Sequence, residues 1–356
     1  MSSIDLMELV RKNIKSLKAY QVENLSDKTK LHANENPYPP SPDLLKRVFL
    51  RMNDLELNRY PDPDCRNLKQ AIANKTSTLP EQIIIGNGSD ELIQYLMQVL
   101  CNEGDAIAFP DPTFAMYGIT AHCLGLKPVH FPLNKNWDFE AQPALEVLAK
   151  HNARLVFISY PNNPTGNCFS ENSIQQIIEK FEGIVVVDEA YHDFSGKSFL
   201  QQMKKHNNLV ILRTSSKIGL AGLRIGYGIF PSILAEQVNK VRLPYNSNTL
   251  SQYVATELLN DFTHVQNQIH SILEERDRLM VELSKLSNII AYPSNSNFIL
   301  FQVPGGGENL FNELKENGTL LRNLNSHPKL KNCLRVTIGT KQENDQFLEQ
   351  LRKTPL

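Results

Sequence analysis

A lysine set among hydroxyls and small residues, at the end of an apolar run, is the strongest chemical signal in the chain. Leu209 to Leu212 reads as a buried strand and continues into Arg213-Thr-Ser-Ser-Lys217-Ile-Gly-Leu-Ala-Gly-Leu-Arg224. Lysine is seldom placed where it must shed water unless it is neutralised or paired. Close to other cations, a desolvated lysine has a lowered pKa, and its neutral amine attacks carbonyls. Arg213 and Arg224 are the candidates for that positive neighbourhood, which makes Lys217 a candidate Schiff-base lysine. A solvated lysine in a surface loop fits this segment, taken alone, equally well.

Three upstream segments have the same strand-then-polar layout. Ile184-Val-Val-Val-Asp188-Glu-Ala-Tyr191 runs four β-branched residues into an acid, as a buried parallel strand does. A carboxylate at that end of a strand points into the usual ligand crevice of an α/β sheet. Val156-Phe-Ile-Ser-Tyr-Pro161-Asn-Asn163-Pro-Thr-Gly166 is a strand followed by a rigid turn carrying two amides, with prolines that restrict the backbone. Ile83-Ile-Ile-Gly86-Asn-Gly88-Ser89-Asp90-Glu91 reads as strand, glycine turn and helix start. Such a turn offers backbone N–H groups to an anion. It is not a P-loop, because no Gly-Lys-Ser/Thr follows.

A phosphate cradle, an amide turn, a buried acid, a lysine and an arginine, in that chain order, resemble the fold-type I enzymes that use pyridoxal phosphate, specifically the aminotransferases. The resemblance covers nearly the whole chain and implies an α/β fold: a mostly parallel central sheet flanked by helices, plus a smaller α+β domain. It implies that Lys217 forms the Schiff base, that Asp188 pairs with the pyridine nitrogen, and that Asn163 and Tyr191 donate to the ring's phenolic oxygen. Phe114, in Asp111-Pro-Thr-Phe-Ala-Met-Tyr117, matches the aromatic residue that stacks on the ring, although an ordinary core aromatic is the alternative. Ser89, Asp90, Glu91, Ser216 and Arg224 match the phosphate site, where a planar guanidinium suits a phosphate. Lys217 and Arg224 are seven apart, one fewer than the commoner family spacing. Tyr60, in Asn58-Arg-Tyr60-Pro-Asp, matches a tyrosine that reaches the phosphate from a partner subunit, which implies a homodimer with shared sites.

The C-terminal part contains Leu320-Leu-Arg322-Asn and Cys333-Leu-Arg335-Val-Thr-Ile-Gly339-Thr, and the early part contains Tyr20 and Leu31-His-Ala-Asn34-Glu-Asn36-Pro. This layout resembles the histidinol-phosphate aminotransferase family, which converts imidazole acetol phosphate and glutamate to histidinol phosphate and 2-oxoglutarate in histidine biosynthesis. Arg322, Arg335 and Tyr20 match its phosphate-binding positions, and Asn163 its substrate contact. Arginine accepts both the phosphate of one substrate and the carboxylate of the other. An aromatic amino-acid aminotransferase, or a threonine-phosphate decarboxylase of the same fold, would use similar motifs.

The elements that must position these residues follow from the pattern. Short β runs at about 83–86, 105–109, 154–159, 184–188, 209–212 and 225–230 alternate with helical stretches, as in a mostly parallel sheet. Residues 248–287 read as one long or bent helix with a solvated face. The expected organisation is an N-terminal arm over 1–39 that joins the small domain, a large cofactor-binding domain over 40–247, and a small domain over 248–356. Among the 356 residues, 37 basic and 38 acidic side chains leave a net charge of −1, so nothing points electrostatically to nucleic acid or membranes. The opening Met-Ser-Ser-Ile-Asp-Leu-Met-Glu does not read as a signal peptide, and no apolar run approaches the roughly 20 residues of a membrane span. Only a short arm precedes the cofactor domain, so an appended DNA-binding module is not expected. Five scattered cysteines without a C-x-x-C suit free thiols in a reducing cytoplasm, with no metal site expected. His32 and His130 read as ordinary residues.

Overall fold

The computed structural model describes residues 5–17 and 28–354. After β1 (Thr29–Lys30) come β2 (Ile83–Asn87), β3 (Ala106–Asp111), β4 (Lys127–Pro132), β5 (Leu155–Ser159), β6 (Ile184–Asp188), β7 (Leu209–Thr214) and β8 (Ile225–Ile229). Strands β2 to β8 form one sheet in the order β2-β8-β7-β6-β5-β3-β4. Neighbours are parallel except at β8, which runs antiparallel to both β2 and β7. The six expected β runs are all strands of this sheet. Strand β4 is one the sequence reading did not pick out. It lies at the sheet edge, and only Phe131 of its six residues is buried, so it lacks the apolar run of an inner strand, and its prolines are tolerated there.

Inner strands bury both faces, and the two-residue repeat divides their side chains between two layers. Ile84, Phe157, Val186 and Val210 face one layer, with Leu92 and Leu96 of helix Ser89–Leu100 and Tyr117 of helix Met116–Leu124. Ile83, Ile85, Val156, Ile158, Val185 and Val187 face the other, with Leu68 and Ile72 of helix Arg66–Thr76 and Ile174 and Ile177 of helix Glu171–Lys180. Ser170 caps that last helix by accepting from Ser173 N, which satisfies one of the orphan donors of its first turn.

A second sheet comprises β9 (Ile290–Ala291), β10 (Phe298–Gln302), β12 (Arg322–Asn323) and β13 (Cys333–Thr337), antiparallel in the order β12-β13-β10-β9. Strand β11 (Thr319–Leu320) pairs in parallel with β1, which stitches the early segment to this half of the molecule. The stretch expected as one long or bent helix is two helices, Thr249–Asn260 and Thr263–Ser284. The break falls at Asp261, whose φ of −130° and ψ of 80° leave the helical region. The first helix packs on Arg66–Thr76, while the second reaches β9 and β10. Among the described residues, no helix is long and apolar enough to cross a membrane.

Behind the strand ends lies a buried ion pair. Glu189 accepts from Arg213 Nε at 3.0 Å and Nη2 at 2.8 Å, from Ser198 Oγ at 2.9 Å and from Phe199 N at 2.6 Å. The Glu189 and Arg213 side chains are 0% and 7% exposed. Removing one member of such a pair strands the other charge in the interior. Glu189→Ala is therefore expected to lower the unfolding free energy by about 3–5 kcal/mol, measured by urea denaturation; unchanged stability would refute this account.

Candidate active site

The carboxyl ends of β5, β6 and β7, the start of helix Ser89–Leu100 and one face of the second sheet enclose a cavity of about 460 Å³. Ser89, Asp90, Phe114, Asn163, Asp188 and Tyr191 line it on the large-sheet side. Ser216, Lys217 and Arg224 line it from the segment after β7, and Arg322 and Arg335 from the second sheet. The structure does not bring every expected residue here. Glu91 turns its carboxylate away, accepting from Asn87 N at 2.7 Å and Asn246 Nδ2 at 2.8 Å. Tyr60 is 80% exposed and stacks on Tyr245, outside the cavity of its own chain. Tyr20 lies outside the described residues.

Lys217 follows β7 in a single 3-10 turn, after Thr214 caps the turn by accepting from Ser216 N. Its Nζ lies 3.3 Å from the carbonyl of Ala33. Burial, then the charges of Arg335 and Arg224, outweigh the opposing pull of Asp90 and Glu35 and lower its pKa from 10.5 to about 8. The expected positive neighbourhood is therefore real, but one member differs. Arg213 is engaged with Glu189, and Arg335, remote in sequence, takes its place. The reason is strand alternation: Arg213 lies on β7 and projects to the side of the Glu189 network.

Asp188 ends β6 and is 3% exposed. Burial raises its pKa to about 6, although Tyr117 Oη donates to Oδ2 at 2.7 Å and Ala190 N donates to Oδ1 at 3.1 Å. A carboxylate so placed favours a cationic or N–H partner on its cavity side. Tyr117 is fully buried, and burial pushes its own pKa well above 10. Tyr117 closes the Asp111–Tyr117 motif, where nothing local in sequence marks it for a role. The signal that could have found it is that a buried tyrosine hydroxyl needs a partner.

The glycine turn suits an anion. Helix Ser89–Leu100 starts after Gly88 with no side-chain cap on its first N–H groups. Strand β8 passes so near that a Cβ on Gly226 would lie 2.2 Å from Ser89 N. Gly88 has φ +81°, and a Cβ there would lie 2.3 Å from Arg224 Nη2. Arg224 itself adopts φ 54° and accepts Gly88 N on its carbonyl at 2.7 Å. Its guanidinium reaches Ser216 Oγ at 3.4 Å and Asp90 Oδ2 at 3.2 Å. The short Lys217–Arg224 spacing is thus accommodated by the turn that brings Arg224 back to the helix start.

On the opposite wall, Arg335 donates to Asn163 Oδ1 at 2.5 Å and to the carbonyl of His32 at 2.8 Å. With its oxygen so engaged, the Asn163 amide group is left to donate. Asn34, buried with φ 55°, donates from Nδ2 to Tyr191 Oη at 3.0 Å, which leaves the tyrosine proton for the cavity. Thr337 Oγ1 and Asn297 Nδ2 hold Asn34 in turn. Nothing local marks Asn34 and His32 as site residues, because their contacts lie 157 to 303 positions away in the chain. His32, far from ordinary, lines the cavity, and burial lowers its pKa.

Comparison with known proteins places these features in context. Residues 26–351 match the sequence profile of the family described as aminotransferase class I and II. The chain is 41% identical over 347 residues to histidinol-phosphate aminotransferase 2 of Nitrosococcus oceani, covering 96% of each. It is 37% identical to histidinol-phosphate aminotransferase of Caldanaerobacter subterraneus, covering 97% of this chain and 98% of the relative. The crystal structure of histidinol-phosphate aminotransferase from Clostridium acetobutylicum superposes with a TM-score of 0.83 at 25% identity, covering 91% of this chain and 98% of the other. The Sinorhizobium meliloti enzyme of that name, in complex with pyridoxal-5'-phosphate, shares the fold with a TM-score of 0.86 at 22% identity, covering 99% of each.

The depressed lysine has a direct readout. The neutral amine is the form that reacts with aldehydes, so trapping of Lys217 by formaldehyde and borohydride is expected to rise with pH about a midpoint near 8. Arg335→Gln removes a cation that disfavours the ammonium form, so the midpoint should move upward and trapping at the wild-type midpoint should slow. Peptide mass mapping reads both; a midpoint at the ordinary lysine value in the wild type would refute the assignment.

Proposed function

Because the chain belongs to the aminotransferase class I and II family, we propose that it acts as a histidinol-phosphate aminotransferase. It moves an amino group reversibly between L-histidinol phosphate plus 2-oxoglutarate and 3-(imidazol-4-yl)-2-oxopropyl phosphate plus L-glutamate, histidine biosynthesis running towards histidinol phosphate. One observation carries the substrate assignment. Arg322 and Arg335 are directly opposed on adjacent antiparallel strands, and both line the cavity that holds Lys217. Directly opposed residues project to the same face of a sheet, and like charges there repel. An anion between them offsets that cost, and a guanidinium pair accepts a phosphate or a carboxylate alike. Both substrates present such a group beyond the reacting carbon.

The residues present fit pyridoxal phosphate. The uncapped helix start at Ser89 and Asp90, the Gly226 approach, Ser216 and Arg224 would hold its phosphate. Asp188 would hold the ring-nitrogen proton, Asn163 and Tyr191 would donate to the ring oxygen, and Phe114 would cover a face. When bound, this cofactor supplies an electron-withdrawing ring that takes up the electron pair left when an amine-bearing carbon loses its proton. The chain's own groups do the remaining work. Lys217 Nζ, with its pKa near 8, takes that proton and returns it, since a base tuned close to working pH moves protons both ways. Tyr117 and the Ala190 amide keep Asp188 oriented towards the cavity. Asn34 sets the direction of the Tyr191 hydroxyl. Arg335, clamped by Asn163 and His32, orients the substrate anion without freedom to follow it.

The site is shared between two copies of the chain. Exposed Tyr60 and Tyr245 stack at 4.4 Å, and Phe49, Leu50, Leu57 and Leu243 are 62–72% exposed. A homodimer covers such an apolar surface and lets Tyr60 reach the cofactor phosphate of the partner. Described cysteines are free, which suits a cytoplasmic setting.

Titration of the cofactor-loaded protein with histidinol phosphate alone is expected to abolish the visible band of the bound aldehyde cofactor, and 2-oxoglutarate should restore it. Conversion by phenylalanine or tyrosine but not by histidinol phosphate would move the activity to aromatic substrates. Arg322→Ala should raise the KM for histidinol phosphate by about 10- to 100-fold, the size of losing one charge-assisted anion contact; unchanged steady-state turnover would remove the arginine pair as the anion site.

A further inference from the structure

The two walls of the cavity are joined outside it by a charged contact that the chemistry above does not use. Asp111 ends β3, and Pro112 leads from it to Thr113 and Phe114 in the large-sheet wall. Its Oδ1 lies 2.9 Å from His327 Nε2, and its Oδ2 lies 2.9 Å from Lys329 Nζ. Lys329 Nζ also donates to the Asp111 carbonyl at 3.1 Å. His327 and Lys329 belong to the connection between β12 and β13; β12 supplies Arg322 to the opposite wall, and the start of the connection supplies Leu324. A single carboxylate thus spans the gap between the segment bearing Phe114 and the segment bearing Arg322.

Both ends of this contact are anchored. On the large-sheet side, Thr113 Oγ1 donates to Asn162 Oδ1 at 2.6 Å, and Asn162 Nδ2 donates to the Pro112 carbonyl at 3.1 Å. On the other side, Leu330 and Cys333 are buried with Leu300, and Leu324, Tyr292 and Trp137 pack against them. The Thr113–Asn162 bonds hold the Phe114 segment on the large sheet without this contact, so its loss acts on the Arg322 segment, which moves with the Leu324–Leu330 cluster. Burial alone would raise the Asp111 pKa; the bonds from Lys329 and His327 outweigh it and hold the carboxyl below its ordinary value, so the group is ionised at neutral pH.

We propose that Asp111, His327 and Lys329 form a clasp that sets the distance between Phe114 and Arg322, and so acts as a set of positioning residues for the anionic end of the substrate. The proposal rests on the reading of the Arg322–Arg335 face as the anion site. The clasp touches neither substrate nor cofactor. Its loss should let the Arg322 wall shift and weaken anion binding, while Phe114 and the rest of the cofactor site stay held by the large sheet. The partners are 26–43% exposed, so each bond is modest, and the effect comes from three contacts acting on one geometry.

The chain's single tryptophan, Trp137, packs on the Leu324–Leu330 cluster and reports on it directly. The test measures 2-oxoglutarate binding to the cofactor-loaded enzyme by Trp137 emission, beside steady-state kinetics and cofactor affinity. Asp111→Asn is expected to weaken 2-oxoglutarate binding about tenfold, with KM raised in parallel, and kcat and cofactor affinity within about twofold of wild type. The doubly substituted His327→Gln, Lys329→Met enzyme, altered only at half-exposed positions, should show the same loss. Adding Asp111→Asn to it should cost nothing more, because partners in one contact are not additive. Unchanged 2-oxoglutarate binding, additive losses, or a proportional fall in cofactor affinity would each overturn the clasp. Failure of wild-type enzyme to turn over histidinol phosphate, with the clasp variants still weakened towards 2-oxoglutarate, would overturn the substrate reading alone.

Discussion

The Arg335 guanidinium is the contact on which the rest of the site depends. It lies on β13, 7% exposed, and donates across the seam to Asn163 in the large-sheet turn and to the His32 carbonyl in the early segment. A buried guanidinium is stable only where acceptors meet its fixed fork. Satisfying it therefore brings three remote parts of the chain to one place. The same charge lowers the Lys217 pKa and lies opposite Arg322. Packing and the lowered pKa of Lys217 thus share one cation with the face proposed for the substrate anion.

Around that cation, burial acts in opposite directions on two groups. It pulls Lys217 down to about 8 and pushes Asp188 up to about 6. Desolvation disfavours the charged form of each, so both sit close to neutral pH, where small changes in surroundings change their protonation. Tyr117 and Asn34 supply the hydrogen bonds that keep the acid and Tyr191 aimed at the cavity. The Glu189–Arg213 pair, by contrast, is closed on itself with Ser198 and Phe199, and it anchors the strand ends without entering the chemistry.

Much of the large sheet was legible because its inner strands carry unbroken apolar runs, and because glycine and proline turns mark where they stop. Edge strand β4 was not, since half-exposed residues leave no such run. The break at Asp261 between two helices escaped a reading based on periodicity, which continues across a single misplaced residue. Lys217, Asp188, Asn163 and the Ser89–Asp90 helix start, which line one cavity, are each marked by a local motif. Arg213 was assigned to the wrong neighbourhood, because a strand's alternation, and not its proximity in sequence, decides which side a side chain takes.

The sequence by itself determined the residue types at the strand ends, the order in which they appear and the family they resemble, since each motif is confined to a few adjacent positions. Only the tertiary structure decided which cations surround Lys217, how Asn34 and Tyr117 aim their partners, and that Arg322 stands across from Arg335. Those relations join positions up to about 300 residues apart. They are set by sheet register and by the need of buried charges and hydroxyls for partners, which no local pattern records.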